Sequence, residues 1–418
     1  PMNLRRRSKN DWGRLDMGYE TYRIADLIDE IAMGPFGSNI KVSCFVDSGV
    51  PVLNGSNLEG FSLSEKTFRY VTRKKADSLN KANAHRGDIV ITHRGTLGQI
   101  VFIPQDSKYD RYVTSQSQFR VRCNDKVLPE YLVYYFHTPI GQHKLLSNAS
   151  QVGVPALARP SSTFQQIEVV LPELSIQKCV VEIISTIQKK IVNNQELNDN
   201  LEQQAQSYFQ ELFVDNADPE WAIGTISDLG TVVGGSTPSK AKPEYYTESG
   251  IAWITPKDLS INKSKFVSHG ENDITELGLK NSSAAIMPEG TVLFSSRAPI
   301  GYIAIAAGEV TTNQGFKSVV PKPEIGTPFV YFFLKNTLPV IEGMASGSTF
   351  KEVSGSTMKN VPAVIPDAET LAKFSDFCAP IFAQQRILEE QNQSLATLRD
   401  NLLPKLMSGE IDVSAVQL

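Results

Sequence analysis

The stretches "DIVITHRGTLGQIVFI" (88–103) and "TVLFSSRAPIGYIAIA" (291–306) decide how the chain is organised. In each, two apolar, β-branched runs flank a short loop containing Gly, the pattern of a β-hairpin. The two hairpins stand 203 residues apart, and Arg94 and Arg297 open the loops at the same place. One chain building the same hairpin twice points to duplication.

The likeness extends outward in the same order. "FVDSGVPVLNGSNL" (45–58) aligns with "YTESGIAWITPKDL" (246–259), and "YLVYYFHT" (131–138) with "FVYFFLKN" (329–336). "GVPALARPSSTFQQIEVVLP" (153–172) aligns without a gap with "GSTFKEVSGSTMKNVPAVIP" (347–366). The offset drifts by a few residues, as insertions and deletions in surface loops produce.

A polar segment without Gly follows each copy and reads as a long helix. Val180, Ile187, Asn194, Leu201 and Tyr208 are spaced by seven, and so are Phe374, Ile381, Leu388, Leu395 and Leu402. Adding 194 to the first series gives the second. Ile183, Ile184, Ile191, Leu197, Ala205 and Leu212 widen the first stripe, and Phe377, Leu398 and Leu406 the second. A seven-residue repeat over five positions predicts coiled-coil pairing of helices about 40 residues and roughly 60 Å long. Packing of each helix on its own neighbouring block is the alternative. Asn194 occupies an apolar place in the repeat, where a buried amide fixes register. Two helices that each follow a globular block pair most simply antiparallel.

The expected fold is therefore mixed α/β. Two blocks of twisted β-sheet and small helices are separated by an antiparallel coiled coil, with an internal pseudo-twofold repeat. The expected boundaries are a basic segment 1–19, a first block 20–172, a first helix 173–215, a second block 216–366, a second helix 367–410 and a tail 411–418.

Composition narrows the class. The 418 residues are 41% hydrophobic and 21% charged, ordinary for a soluble globular protein. There is no apolar run long enough for a membrane span, and "PMNLRRRSKND" leads into no apolar stretch of the secretory type. The four cysteines are far apart and the five histidines show no metal-ligand spacing, which fits a reducing cytoplasm. The net charge of −4 is unevenly placed. Lys and Arg number 17 against 14 Asp and Glu over 20–172, and 12 against 12 over 222–366. They number 3 against 8 over 173–219 and 4 against 7 over 367–410. The acidity lies in the helices, which leaves the blocks free to meet nucleic acid.

Each block begins with a loop rich in Gly, Pro and Ser, "GPFGSNIK" (34–41) and "GGSTPSK" (234–240). Such loops either turn the chain or bring backbone N–H groups close to a partner. "TSQSQF" (114–119) and "TTNQGFK" (311–317) place Gln116 and Gln314 near aromatics. Gln can pair with adenine and Arg with guanine in the major groove, although a solvated loop amide looks the same in sequence. "FRYVTRKK" (68–75) and "KDLSINKSK" (257–265) read as basic loops, suited to phosphates or simply solvated. No Walker motif, glycine-rich cofactor loop, nucleophile elbow or adenine pocket is readable. That points to a binding protein rather than a catalyst.

This order of block, helix, block, helix closely resembles the specificity subunit of type I restriction–modification systems. "SGVPVLNGSNL", "RGTLG", "SGIAWI", "RAPIGYIAI", "TTNQGFK" and the closing "LRDNLLPKLMSGEIDV" carry the likeness. The resemblance implies target recognition domains that each read one half of a bipartite double-stranded DNA target. It implies a coiled coil that sets the gap and docks two methyltransferase subunits. S-adenosylmethionine would be bound by those subunits, ATP and Mg²⁺ would serve restriction–translocation subunits, and this chain would hold no cofactor or metal and do no chemistry. Matched to the family's loops, the DNA contacts would be Lys41, His93, Arg94 and Gln116 in the first block. In the second they would be Lys257, Arg297, Gln314, Lys317 and Ser348. Ser56 stands where Lys257 has its counterpart. The rival readings are a protein–protein scaffold built on the long helices and a stand-alone methyltransferase.

Overall fold

The computed structural model describes residues 19–35, 37–150, 153–347 and 351–413. The chain divides into two compact units, residues 1–190 with 395–418, and residues 191–394.

In the first unit the "RGTLG" hairpin forms from strands Ile89–Thr92 and Ile100–Phe102, with Val90 opposite Val101. It lies in a four-stranded sheet, in the order Ile28–Met33, Gln118–Cys123, Ile89–Thr92, Ile100–Phe102. Both faces of the hairpin are covered, which explains its unbroken apolar runs. Ile89, Ile91 and Ile100 face a core with Tyr131, Leu132 and Phe136 of the helix Pro129–His137. Val90 and Val101 face Leu53, Leu58 and Tyr112, around the second sheet. That five-stranded sheet runs Phe45–Val46, Arg69–Val71, Val50–Val52, Arg111–Val113, Asn83–His85.

The second unit repeats this plan. Val292–Ser296 and Ile300–Ala306 form its hairpin, with Leu293 opposite Ala304. Val292, Phe294 and Ile305 face the helix Thr327–Met344, and Leu293, Ala304 and Ala306 face the other way. The sheet order is Gly230–Gly234, Lys317–Pro321, Val292–Ser296, Ile300–Ala306, Phe266–Val267. Its last, parallel pair corresponds in the first unit to a single parallel bridge, Ser62 with Phe102.

The long helices span Leu174–Gln210, continued by a π-helical turn Glu211–Asp215, and Ala368–Ser408. Within each unit they run antiparallel. In the second unit Asn194 donates to Asn392 Oδ1 at 2.9 Å, while further along Phe209 meets Phe374 at 5.8 Å. In the first, Arg399 donates to Gln188 Oε1 at 2.9 Å. Of the seven-spaced residues, Val180, Asn194, Phe374, Ile381 and Leu388 are buried, and Ile187, Leu201, Tyr208, Leu395 and Leu402 are half-buried.

The widened stripe needs correction. Leu197, Phe377 and Leu398 are 45%, 40% and 47% exposed, because the second row of the seam lies four residues after the first, not three. That row holds Ile184, Ile191, Asn198 and Ala205, and Cys378, Gln385, Asn392, Arg399 and Leu406. Its middle is polar, and Asn194 donates to Asn392 there and to Gln391 beside it.

Blocks and helices join through unlike chemistry in the two units. In the first, the Arg399 guanidinium lies 4.8 Å from the Phe61 ring, which also stacks on His137 at 4.3 Å. In the second, Lys265 takes the place of Phe61: each carbonyl accepts from the hairpin, from Ile305 and Phe102 respectively. Lys265 is 7% exposed and donates to Glu202 and to Gln385, both at 2.8 Å, with its ammonium 3.4 Å from the Phe382 ring centre. Lys335, at the counterpart of His137, donates to the other oxygen of Glu202 at 2.6 Å.

Candidate nucleic-acid interface

Each unit carries a cleft beside its hairpin loop. In the first, about 820 Å³, it is lined by His93, Arg94 and Gln116 together with Gly34, Gly37, Asn39, Asn80 and Lys81. In the second, about 490 Å³, it is lined by Lys257, Arg297 and Gln314 together with Thr237, Lys240, Glu271 and Asn313. The same three segments build both: the glycine-rich loop, the hairpin loop and the segment carrying the Gln.

Backbone packing explains why they converge. A Cβ on Gly34 would collide with the carbonyl of Ser115, and one on Gly235 with those of Asn313 and Thr312. The glycines therefore let the loop lie against the Gln-bearing segment of its own unit, rather than against an incoming partner. Gln116 covers Gly37. At the corresponding place in the second unit, the Thr237 hydroxyl donates to Gln314 Oε1. Both glutamines thus have one face committed to the loop.

The hairpin arginines are pinned through their backbones. Arg94 forms an antiparallel bridge with Ala156, and Arg297 one with Glu352. Arg94 is exposed and has no ion-pair partner among the described residues. Arg297 lies 3.6 Å from the Glu352 carboxylate. His93 is half-buried, and burial lowers its pKa, so the ring is neutral at neutral pH. As the Nε2–H tautomer it donates to the carbonyl of Gln116 at 3.2 Å.

The other sequence-derived candidates fall elsewhere. Lys41 is exposed at the start of the turn Val42–Cys44 and does not line the cleft. Lys317 folds back on the carbonyls of Gln314 and Phe316 and lies 3.9 Å from Glu352. Lys257 is exposed but paired with Glu271 at 2.5 Å. Ser348 lies outside the described residues. The expectation that 257–265 forms a basic phosphate loop is overturned at Lys265, which is buried against the long helices. Sequence reading missed Lys81 and Lys240, although Lys240 closes the quoted "GGSTPSK". Among the described residues no group of three or more His, Cys, Asp or Glu is placed to hold a metal ion. Among the described residues no helix is long and apolar enough to cross a membrane.

Residues 18–203 and 219–398 each match the type I restriction modification DNA specificity domain. The chain belongs to that family. The type I restriction enzyme MjaIX specificity subunit of Methanocaldococcus jannaschii is 39% identical over 191 residues, 44% of either chain. The HindI specificity subunit of Haemophilus influenzae is 24% identical over 412 residues, covering 78% of this chain and 87% of its own. In fold, the chain is similar to the S subunit of a type I restriction–modification system from M. genitalium, with TM-score 0.58 and 16% identity. That likeness covers 94% of this chain and 97% of the other. In this family the repeated block is a DNA specificity domain, so the two clefts belong to DNA-recognising modules.

Proposed function

We propose that the chain is the DNA-reading subunit of a cytoplasmic type I restriction–modification assembly. The blocks 20–172 and 216–366 each read one half of a bipartite duplex target. The helices 173–215 and 367–410 set the gap, with the seven-spaced residues holding the two helices together, and dock two methyltransferase subunits through the faces left outside that seam. S-adenosylmethionine belongs to those subunits, and ATP and Mg²⁺ to the restriction–translocation subunits. The observation that carries this reading is the pairing of Arg94 with Gln116 in one cleft and of Arg297 with Gln314 in the other. Arg and Gln are the side chains that form bidentate contacts with guanine and adenine edges.

The test is Arg94→Ala and Arg297→Ala in the assembled methyltransferase, with affinity measured on duplexes in which one half-site at a time is scrambled. Losing a bidentate base contact costs about 1–3 kcal/mol, so each variant should bind roughly 5- to 150-fold more weakly. Each should also become indifferent to scrambling of its own half-site only. Full affinity and discrimination in both variants would leave the scaffold reading in its place.

A further inference from the structure

The two hairpin arginines differ in what stands beside them: Arg297 has a carboxylate within 4 Å and Arg94 has none among the described residues. Glu352 stands where the first unit has no acid: its backbone bridges Arg297, as that of Ala156 bridges Arg94. Its two carboxylate oxygens lie 3.6 Å from Arg297 Nη1 and 3.9 Å from Lys317 Nζ. The Lys317 side chain is only 16% exposed, and its first-unit counterpart is the apolar Phe119. The second block thus holds two cations around one internal anion, and the first presents Arg94 without one. Two backbone hydrogen bonds seat the carboxylate, from Glu352 N to Ser346 O at 2.8 Å and from Ser346 N to Glu352 O at 3.1 Å.

We infer that Glu352 determines specificity in the second block by occupying Arg297 and Lys317 as a phosphate would, so that only a base edge that outbids it gains them. This rests on the proposed DNA reading. Ion pairs as exposed as these hold by a few-fold in equilibrium constant. A phosphate of random DNA offers the cations much the same charge and gains little by exchange. A guanine edge offers Arg297 two aligned acceptors and gains more. Glu352 therefore weakens binding to every sequence, and weakens it most where a phosphate is all that is offered. In the first block the same phosphate meets Arg94 unopposed.

The experiment compares wild type, Glu352→Gln and the Arg297→Ala/Glu352→Gln double variant in the assembled methyltransferase. Each is titrated with a duplex carrying the target and with one lacking it, over a range of salt concentrations. In Glu352→Gln, affinity for the off-target duplex should rise about 3- to 10-fold at low salt. The salt slope should steepen by about 1–2, roughly one unit for each further phosphate neutralised. On-target affinity should rise less, so the ratio of the two falls, and the double variant should lose the extra slope. Glu352→Ser, which removes the same carboxylate, should behave alike. Off-target affinity and slope unchanged or reduced in both single variants would overturn the inference and leave the ion pairs as a structural staple. Absence of duplex binding by the wild-type assembly would overturn the DNA reading, and this inference with it.

Discussion

Glu202→Gln should destabilise the second unit by about 3–5 kcal/mol, the cost of breaking a buried charge pair from one side. Glu202 accepts from Lys265 on one oxygen and from Lys335 and the Tyr331 hydroxyl on the other. Lys335 is partly exposed and can turn to solvent. Lys265 has a 5% exposed side chain enclosed by the rings of Tyr331, Phe332 and Phe382, and has no such exit. Burial already takes its pKa down to about 8 against the pull of Glu202. Without that carboxylate it must stay charged with only an amide and ring faces, or give up its proton. Chemical denaturation at pH 7 measures the effect. Lys265→Met combined with Glu202→Leu should recover most of the loss, since apolar replacement of a whole buried pair is often neutral. A single variant within about 1 kcal/mol of wild type would mean the pair is effectively solvated.

Acid should remove the same stability. Burial alone would raise the Glu202 carboxyl, but the ammonium groups of Lys265 and Lys335 overcome it and hold the pKa at about 2, against 4.5 in the unfolded chain. A carboxyl with a depressed folded pKa contributes fully above its unfolded value and loses that contribution as pH falls toward the folded one. The contribution is up to about 3 kcal/mol at pH 7 and fades between roughly pH 5 and 2. Because the other carboxylates are shared, the stability gap between wild type and Glu202→Gln should close across that window. A gap that stays constant down to pH 2.5 would rule Glu202 out as its source.

The repeat was legible because it is written in local patterns. The runs around Arg94 and Arg297 are continuous where both faces of a hairpin are covered, and seven-residue spacing survives in two helices of otherwise polar sequence. The second row of the seam was legible only at its apolar members Ile184, Ile191, Ala205 and Leu406. At four residues after the first it carries Asn198, Gln385, Asn392 and Arg399, whereas the apolar Leu197, Phe377 and Leu398 stand at three residues and face outward. Lys265 was hidden for a related reason. In "KDLSINKSK" it looks like its solvated neighbours, and its counter-ion is 63 residues earlier in another element. The clefts were half legible. The hairpin loops held Arg94 and Arg297 and the segments after the hairpins Gln116 and Gln314, but that Glu352 faces Arg297 follows from a strand bridge that no local pattern announces.

The unlike junctions carry a consequence for inheritance. A duplicated block begins with one set of contacts, and here the copies have parted at two matched places: Phe61 and His137 in one, Lys265 and Lys335 in the other. Each copy has become the tenant of its own helix end. A rearranged gene that set the second block in the first position would bring an ammonium up against Arg399, which already holds the neighbouring Asp400 carboxylate. The reverse exchange would leave Glu202 without either of its lysines. New combinations of blocks should therefore arise by replacing a block with one already adapted to the same end, and the record of which end a block came from can be read at those two residues.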